Sequence, residues 1–372
     1  MSDIQPWYRP RPDLLLLLLV LLLAVVGMLT LYSAVHQGNH VLWWRQMQFW
    51  GLGLLVLMGC TLLPLRLLGL LIWPLFVVSL VLLVLVPLLG DVQMGARRWL
   101  TLGSFRLQPS ELVKWSLMLL FVHWFASRSA NHWRTLLPPL LACLIPIVFI
   151  VKQPDLGTAL IILMEATALV IMAGFPWSWL LAMVLSSPLF LALMWHFMHD
   201  YQKRRVRTFL NPQADPLGAG YHVIQSIIAI GSGGILGKGF LHGTQARLHF
   251  LPEQHTDFIF SVLAEEGGLL ATALLLLLFI LLIGRILMIA AVAHTRFGAL
   301  LCLGVASMFT IYTFVNIGMV SGLLPVVGVP LPFISYGGSA LTTMLAATGL
   351  VMRVAFESRG NIPWQRPGSP LA

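Results

Sequence analysis

Three groups of ionisable residues stand out in a chain that has few of them. The first is Leu251-Pro-Glu-Gln-His-Thr-Asp-Phe-Ile-Phe260, which places Glu253, His255 and Asp257 within five residues, directly before the pair Phe258 and Phe260. Thr256 or Asp257 there could cap a helix. The aromatic anchor beyond also predicts that Asp257 is buried against apolar neighbours. A carboxyl so placed has its pKa raised from about 4 toward the range useful to a general base. The second group is Glu111 and Lys114, three apart and so on one helix face. They form either a structural ion pair or, with Asp155, the lining of a water-filled cavity at the membrane edge. The third is Glu165, ten residues past Asp155 and about 15 Å deeper along a helix. A protonated carboxyl packed between helices is its plainer account.

Two span starts echo one another, Gln108-Pro-Ser-Glu111 and Gln153-Pro-Asp155. Proline suits a first helical turn and a carboxylate there faces the positive end of the dipole, so capping is the alternative to a catalytic role. The glycine-rich stretch 231–239 fails as a phosphate loop. Ser232 stands where the first glycine is required, and Gly239 where Ser or Thr must follow Lys238. A bend that lets backbone approach a lipid surface is expected instead, with a diphosphate cradle as the other option. The histidines at 36, 40, 196, 199, 242, 249 and 255 match no zinc spacing, and Cys60, Cys143 and Cys302 lie inside apolar runs as small packing residues.

The elements that must carry these residues follow from composition. Only 9% of the 372 residues are charged and 59% are hydrophobic, with a mean hydropathy of +0.90. So few charges cannot cover a soluble globule of this size. An all-α polytopic membrane protein is expected, a single integral membrane domain over 1–372. Apolar runs long enough to cross about 30 Å of hydrocarbon fall near 14–35, 46–63, 67–89, 109–127, 136–151, 157–174, 178–198, 266–290, 298–320 and 338–356. The first is too long for a cleaved leader and lacks a small-residue site after it. A large loop over 199–265 would lead to the segment around Asp257.

Ten transmembrane helices put both termini on one side. Ten arginines on the short segments of that side, against six basic residues opposite, predict cytoplasmic termini. Nine of the 13 acids (Asp91, Glu111, Asp155, Asp200, Asp215, Glu253, Asp257, Glu265 and Glu266) then fall on the extracytoplasmic face. The net charge of +9 is spread among loops, which fits membrane lipids or an anionic lipid substrate and gives no nucleic-acid surface. The short connectors of the other face leave no room for a nucleotide-binding domain.

At this point the chain resembles the SEDS family of peptidoglycan glycosyltransferases. The resemblance is carried by an ordered series across 14–356: Gly95-Ala-Arg-Arg-Trp-Leu100, Gln108-Pro-Ser-Glu111, Gln153-Pro-Asp-Leu-Gly157, Met198-His-Asp-Tyr-Gln202 and Asp215-Pro-Leu-Gly-Ala-Gly-Tyr-His222. It continues through Leu241-His-Gly-Thr-Gln245, the segment 251–260, Asn316-Ile-Gly-Met-Val-Ser-Gly322, Leu324-Pro-Val-Val-Gly-Val-Pro330 and Ser335-Tyr-Gly-Gly-Ser339. The run 238–245 is closer to the family's elongation branch, RodA, than to its division branch. Ile227 departs from an expected lysine and Gly267 from an expected leucine.

The resemblance implies polymerisation of lipid II into β-1,4 glycan strands for cell elongation and rod shape, at the outer face of the bacterial cytoplasmic (inner) membrane. Inversion at the donor C1 would release undecaprenyl diphosphate. It implies Asp257 as the catalytic base and a class B penicillin-binding protein, a transpeptidase, as partner. Substrate-binding residues expected on this basis are Arg45, Arg98, Trp99, Glu111, Lys114, Lys152, Asp155, Lys238 and His255. Arg45, Arg98, Lys114 and Lys152 are the candidates for diphosphate. No cofactor is required, although a divalent cation (Mg or Mn) could assist; no ligand set for one is readable. The rival reading is a flippase or transporter of the lipid-linked precursor, which would also show an intramembrane acid and broken helices.

Overall fold

The computed structural model describes residues 13–36, 40–93, 96–102, 105–197, 203, 207–211, 213, 219–247 and 253–359. The motif 198–202, Asp200, Asp215 and His249 lie outside the described residues. The helices run α1 Leu14–Val35, α2 His40–Leu62, α3 Leu65–Leu89, α4 Pro109–Ala126, α5 Trp133–Lys152, α6 Leu156–Met172 and α7 Trp177–Phe197. They continue with α8 Ala219–Ser232, the one-turn α9 Thr244–Arg247, α10 Ile259–Ala291, α11 Arg296–Val320 and α12 Gly338–Arg359. Every apolar run expected to span is helical. Six of these helices, α1, α3, α5, α10, α11 and α12, are long and apolar enough to cross a membrane, and the chain is a multi-pass helical membrane protein.

One departure from an all-helical chain is a small antiparallel sheet between α3 and α4. Its strands are β1 Asp91–Gln93, β2 Ala96–Leu102 and β3 Phe105–Leu107, with β2 in the middle. The segments are too short to register against the long apolar runs around them, and the middle strand carries Arg98.

The bundle has an inner and an outer layer. In α11, 78% of the apolar window is buried, and in α12 72%, against 28% in α3 and α5. Helix α4 is buried from Val113 to Val122 on every side. A helix apolar all round that lies inside the bundle must be covered by other helices, whereas α3 and α5 leave leucines and valines for the lipid. Helix α1 packs antiparallel to α10 and is pinned at both ends. Asp13, which caps α1 by accepting from the Leu16 amide at 3.0 Å, pairs with Arg285 at 2.6 Å. Twenty residues on, Ser33 donates to Glu266 at 2.6 Å.

Helix α10 begins seven residues before the apolar run predicted for it, and it takes Glu265 and Glu266 inside. Two features make this possible. Glu265, fully buried, accepts from Lys238 Nζ at 2.6 Å, from the Thr244 amide and hydroxyl at 2.8 Å each, and from the Gln245 amide at 3.1 Å. The helix is also broken at Gly268, which takes φ +63° and ψ −160°. The glycine-rich stretch satisfies the groups released there. The Lys238 and Gly239 amides donate to the Glu265 and Glu266 carbonyls, and the Leu269 and Leu270 amides donate to the Gly234 and Ile235 carbonyls. The 231–239 bend expected to approach a lipid surface thus approaches another helix. A Cβ on Gly233 would collide with the Ala264 carbonyl, and one on Gly237, at φ +76°, with that of Glu266.

A methyl group at Gly237 therefore meets both a steric and a conformational penalty. We expect Gly237→Ala to cost about 1–3 kcal/mol and to lower the thermal unfolding midpoint in detergent. Gly59→Ala, whose Cβ would meet nothing within 4 Å, should leave that midpoint in place or raise it slightly.

Candidate active site

Residues 253–258 form a tight turn ahead of α10 rather than a loose loop, and several of its backbone carbonyls are held. Gln254 reaches the Ala34 carbonyl at the end of α1 at 2.8 Å. The Tyr336 amide donates to the His255 carbonyl at 2.9 Å, and the Ser335 hydroxyl to that of Thr256 at 2.7 Å. Asn316, fully buried in α11, uses its side-chain amide to bridge the carbonyls of Asp257 (2.9 Å) and Val329 (2.7 Å). The connector 321–337 and the turn are thereby fixed as one unit. Gln46 of α2 ties in the far end of that connector, donating to the Ser335 carbonyl at 3.2 Å and accepting from the Gly337 amide at 3.2 Å.

Asp257 emerges from this unit half-buried, with its carboxyl against Gly328, where a Cβ would stand 3.4 Å from Oδ2. Burial of the carboxyl, reinforced by the carboxylates of Glu253 and Asp155, pushes its pKa up to about 7. The expected perturbation is therefore present, and lack of solvation leads it. His255 packs its ring near Tyr336, with centroids 5.9 Å apart, and lies 4.0 Å from Glu253. Burial lowers its pKa against the opposing pull of Glu253, so it favours the neutral imidazole.

Asp155 reaches the same place from the other half of the chain. It caps α6, accepting from the Thr158 amide at 3.2 Å and hydroxyl at 2.9 Å. Gly157, two residues on, lies so close to the Val327 carbonyl that a Cβ would collide with it. The start of α6 is thus packed on the connector beside Gly328. Asp155 thus caps its helix and also lies near Asp257. Arg98 on β2 closes this edge. Its guanidinium donates to the carbonyls of Gln153 (3.3 Å) and Pro154 (2.7 Å) and lies 4.0 Å from Asp155. It keeps 31% side-chain exposure, enough to meet a ligand from above. Alternation along β2 turns Trp99 to the face opposite Arg98.

The remaining predicted residues divide. Arg45, beside Gln46, and Lys152, at the end of α5, are exposed and make no side-chain hydrogen bond or ion pair among the described residues. Glu111 and Lys114 form a buried pair at 2.7 Å, with the ammonium 4.8 Å from the centre of the Tyr312 ring. This pair faces inward toward Glu165. Lys238 is not with the others: Glu265 and Thr244 hold its ammonium. Two of the nine acids thought to mark the active face, Glu265 and Glu266, are likewise occupied in holding 238–245 to α10 and α1. Among the described residues no three His, Cys, Asp or Glu side chains gather as a metal site.

Sequence reasoning missed Asn316, Ser335 and Gln254 as the residues that position Asp257. For Asn316 the available signal was an amide near the end of an apolar helix, which must find partners inside the bundle.

This geometry can be set beside known proteins. The family described as "Cell cycle protein", covering FtsW, RodA and SpoVE, matches residues 13–360. The chain belongs to that family. It is 43% identical over 357 residues to the peptidoglycan glycosyltransferase MrdB of Escherichia coli strain K12, covering 94% of each chain. A solved peptidoglycan synthase complex, described as coordinating polymerization and crosslinking, contains a chain 38% identical to this one. It superposes with a TM-score of 0.81 over 93% of this chain and 98% of that one. The rod shape determining protein RodA of Thermus thermophilus is 33% identical, with a TM-score of 0.69 over 92% of this chain and 96% of that one.

The buried pair has a thermodynamic signature. Lys114→Met strands the Glu111 charge and should cost about 3–5 kcal/mol, whereas Glu111→Gln combined with Lys114→Met should recover most of that loss. Thermal unfolding of the three proteins in one detergent measures both; equal losses in the single and double variants would show that the pair is not the issue.

Proposed function

We propose that this peptidoglycan glycosyltransferase polymerises lipid II with Asp257 as general base. The observation that carries the reading is a carboxyl whose pKa is pushed up to about 7, on a rigid turn, with a partly exposed arginine alongside Asp155 at the same edge. A base near neutrality is ionised often enough to accept a proton, and still basic enough to hold it. The acceptor's 4-hydroxyl loses its proton to Asp257 as its oxygen attacks the donor C1. The bond from C1 to the diphosphate oxygen breaks on the opposite side, so an α-linked donor gives a β-1,4 link. The departing diphosphate needs positive charge rather than a general acid, and Arg45, Arg98 and Lys152 supply it. Asp155 orients Arg98, Glu253 and His255 border the acceptor side, and Trp99 covers the opposite face of β2. Glu111 with Lys114 sets the packing beneath, and Lys238 reaches the site only indirectly, by holding 238–245 to α10.

On this reading the ten long helices all span the inner membrane, the termini are cytoplasmic, and the turn at 253–258 faces the outside. The partner is a class B penicillin-binding protein, in keeping with the solved synthase complex that the chain resembles.

The test uses the purified chain with its transpeptidase partner and lipid II, and resolves glycan chains on a gel. Asp257→Asn should slow polymerisation by about 10²-fold or more, and undiminished chains from that variant would remove the assignment. Because the base must be ionised, wild-type rate should fall as the pH drops below about 7; a flat profile through that region would contradict it. Labelled lipid II crossing vesicles, with no polymer from the wild type, would make the chain a flippase.

A further inference from the structure

Glu165 takes no part in the reaction above, yet it is 5% exposed and its Oε1 has no hydrogen-bond partner. A buried oxygen of this kind is costly unless something fills the gap. The gap is there. A cavity of about 10 Å³ is lined by Lys114, Leu117, Met118 and Phe121 of α4 and by Ile162, Glu165, Ala166 and Leu169 of α6. That is room for about one water. Two of its walls are polar, and the other six are apolar.

Charge makes the second half of the case. The groups facing Glu165 from the neighbouring helices are Glu111 and Lys114 of α4, Cys143 of α5 and Tyr312 of α11. Lys114 is the one cation among them, and it already lies 2.7 Å from Glu111. If Glu165 were ionised, two carboxylates would share one ammonium and the interior would hold a net negative charge, which an apolar surrounding strongly disfavours. A single proton removes that charge and leaves the pair balanced.

We propose that this cavity is a binding site for one water molecule, shared by Lys114 Nζ and Glu165 Oε1, and that Glu165 stands beside it as the neutral acid. The proton on Glu165 leaves Lys114 to serve Glu111 alone. Its loss would draw the ammonium toward Glu165 and loosen the pair that holds the start of α4. Glu165 is a positioning residue on this account, one that makes the packing beneath the active site dependent on a proton.

Infrared difference spectra of the full chain in lipid nanodiscs test this without any substrate. Wild type minus Glu165→Gln at neutral pH should show the carbonyl band of a protonated carboxyl, shifted in D₂O and unchanged when sodium is added. Glu165→Asp, which keeps the acid but withdraws it from the cavity, should move the same band and gives the assignment if the glutamine variant does not fold. Ala166→Val, which fills the cavity, should shift the band toward that of a carboxyl without a hydrogen-bonded water. A difference spectrum with only carboxylate bands would overturn the proton, loss of the band on adding sodium would make this a cation site instead, and an unmoved band in Ala166→Val would overturn the water.

Discussion

The candidate site of this protein depends on backbone carbonyls of irregular chain finding donors inside the protein. The turn at 253–258 and the connector 321–337 are irregular chain at the end of an apolar bundle, and unpaired groups there would cost about 1–3 kcal/mol each. Asn316 resolves two of them at once by bridging Asp257 and Val329. Ser335 and Tyr336 resolve two more. Because these donors, at 316 and 335–336, lie far along the chain from the turn, satisfying the backbone also fixes Asp257 against Gly328. Rigidity and chemistry share one cause.

The same constraint explains the glycine-rich stretch. Breaking α10 at Gly268 releases amides and carbonyls that must be paired inside the protein, since lipid offers no substitute. Residues 234–239 pair them, and glycine is needed where the two backbones come closest. The break lets Glu265 sit fully buried as a hub for Lys238, Thr244 and Gln245, so a segment that looks like a ligand loop becomes part of the scaffold.

Charge is used in two ways in this chain. Asp13 with Arg285, Glu265 with Lys238 and Glu111 with Lys114 are neutralised pairs that hold helices together. Asp257 sits instead buried and beside two other carboxylates, Glu253 and Asp155; its burial first, and these like charges second, raise its pKa. Arg98, held by two carbonyls and only loosely near Asp155, remains available to an anion. A structural charge is saturated, and the carboxyl proposed as the base is left partly uncompensated.

Much of this was legible in the residues alone. Scarcity of charge set the membrane class, the apolar runs located the helices, and the aromatic neighbours of Asp257 foretold a perturbed carboxyl. These are local properties, written in windows of about 20 residues. What tertiary structure decided was which charges meet. Lys238 and Lys114 are alike in sequence, each a lysine near acids, yet each is claimed by a carboxylate before any substrate arrives, while Arg45 and Lys152 are left exposed. The sheet that presents Arg98, the early start of α10 and the role of Asn316 were likewise hidden. Each rests on contacts between residues far apart in the chain, and a one-dimensional pattern records what a residue can pair with but not which partner folding brings to it.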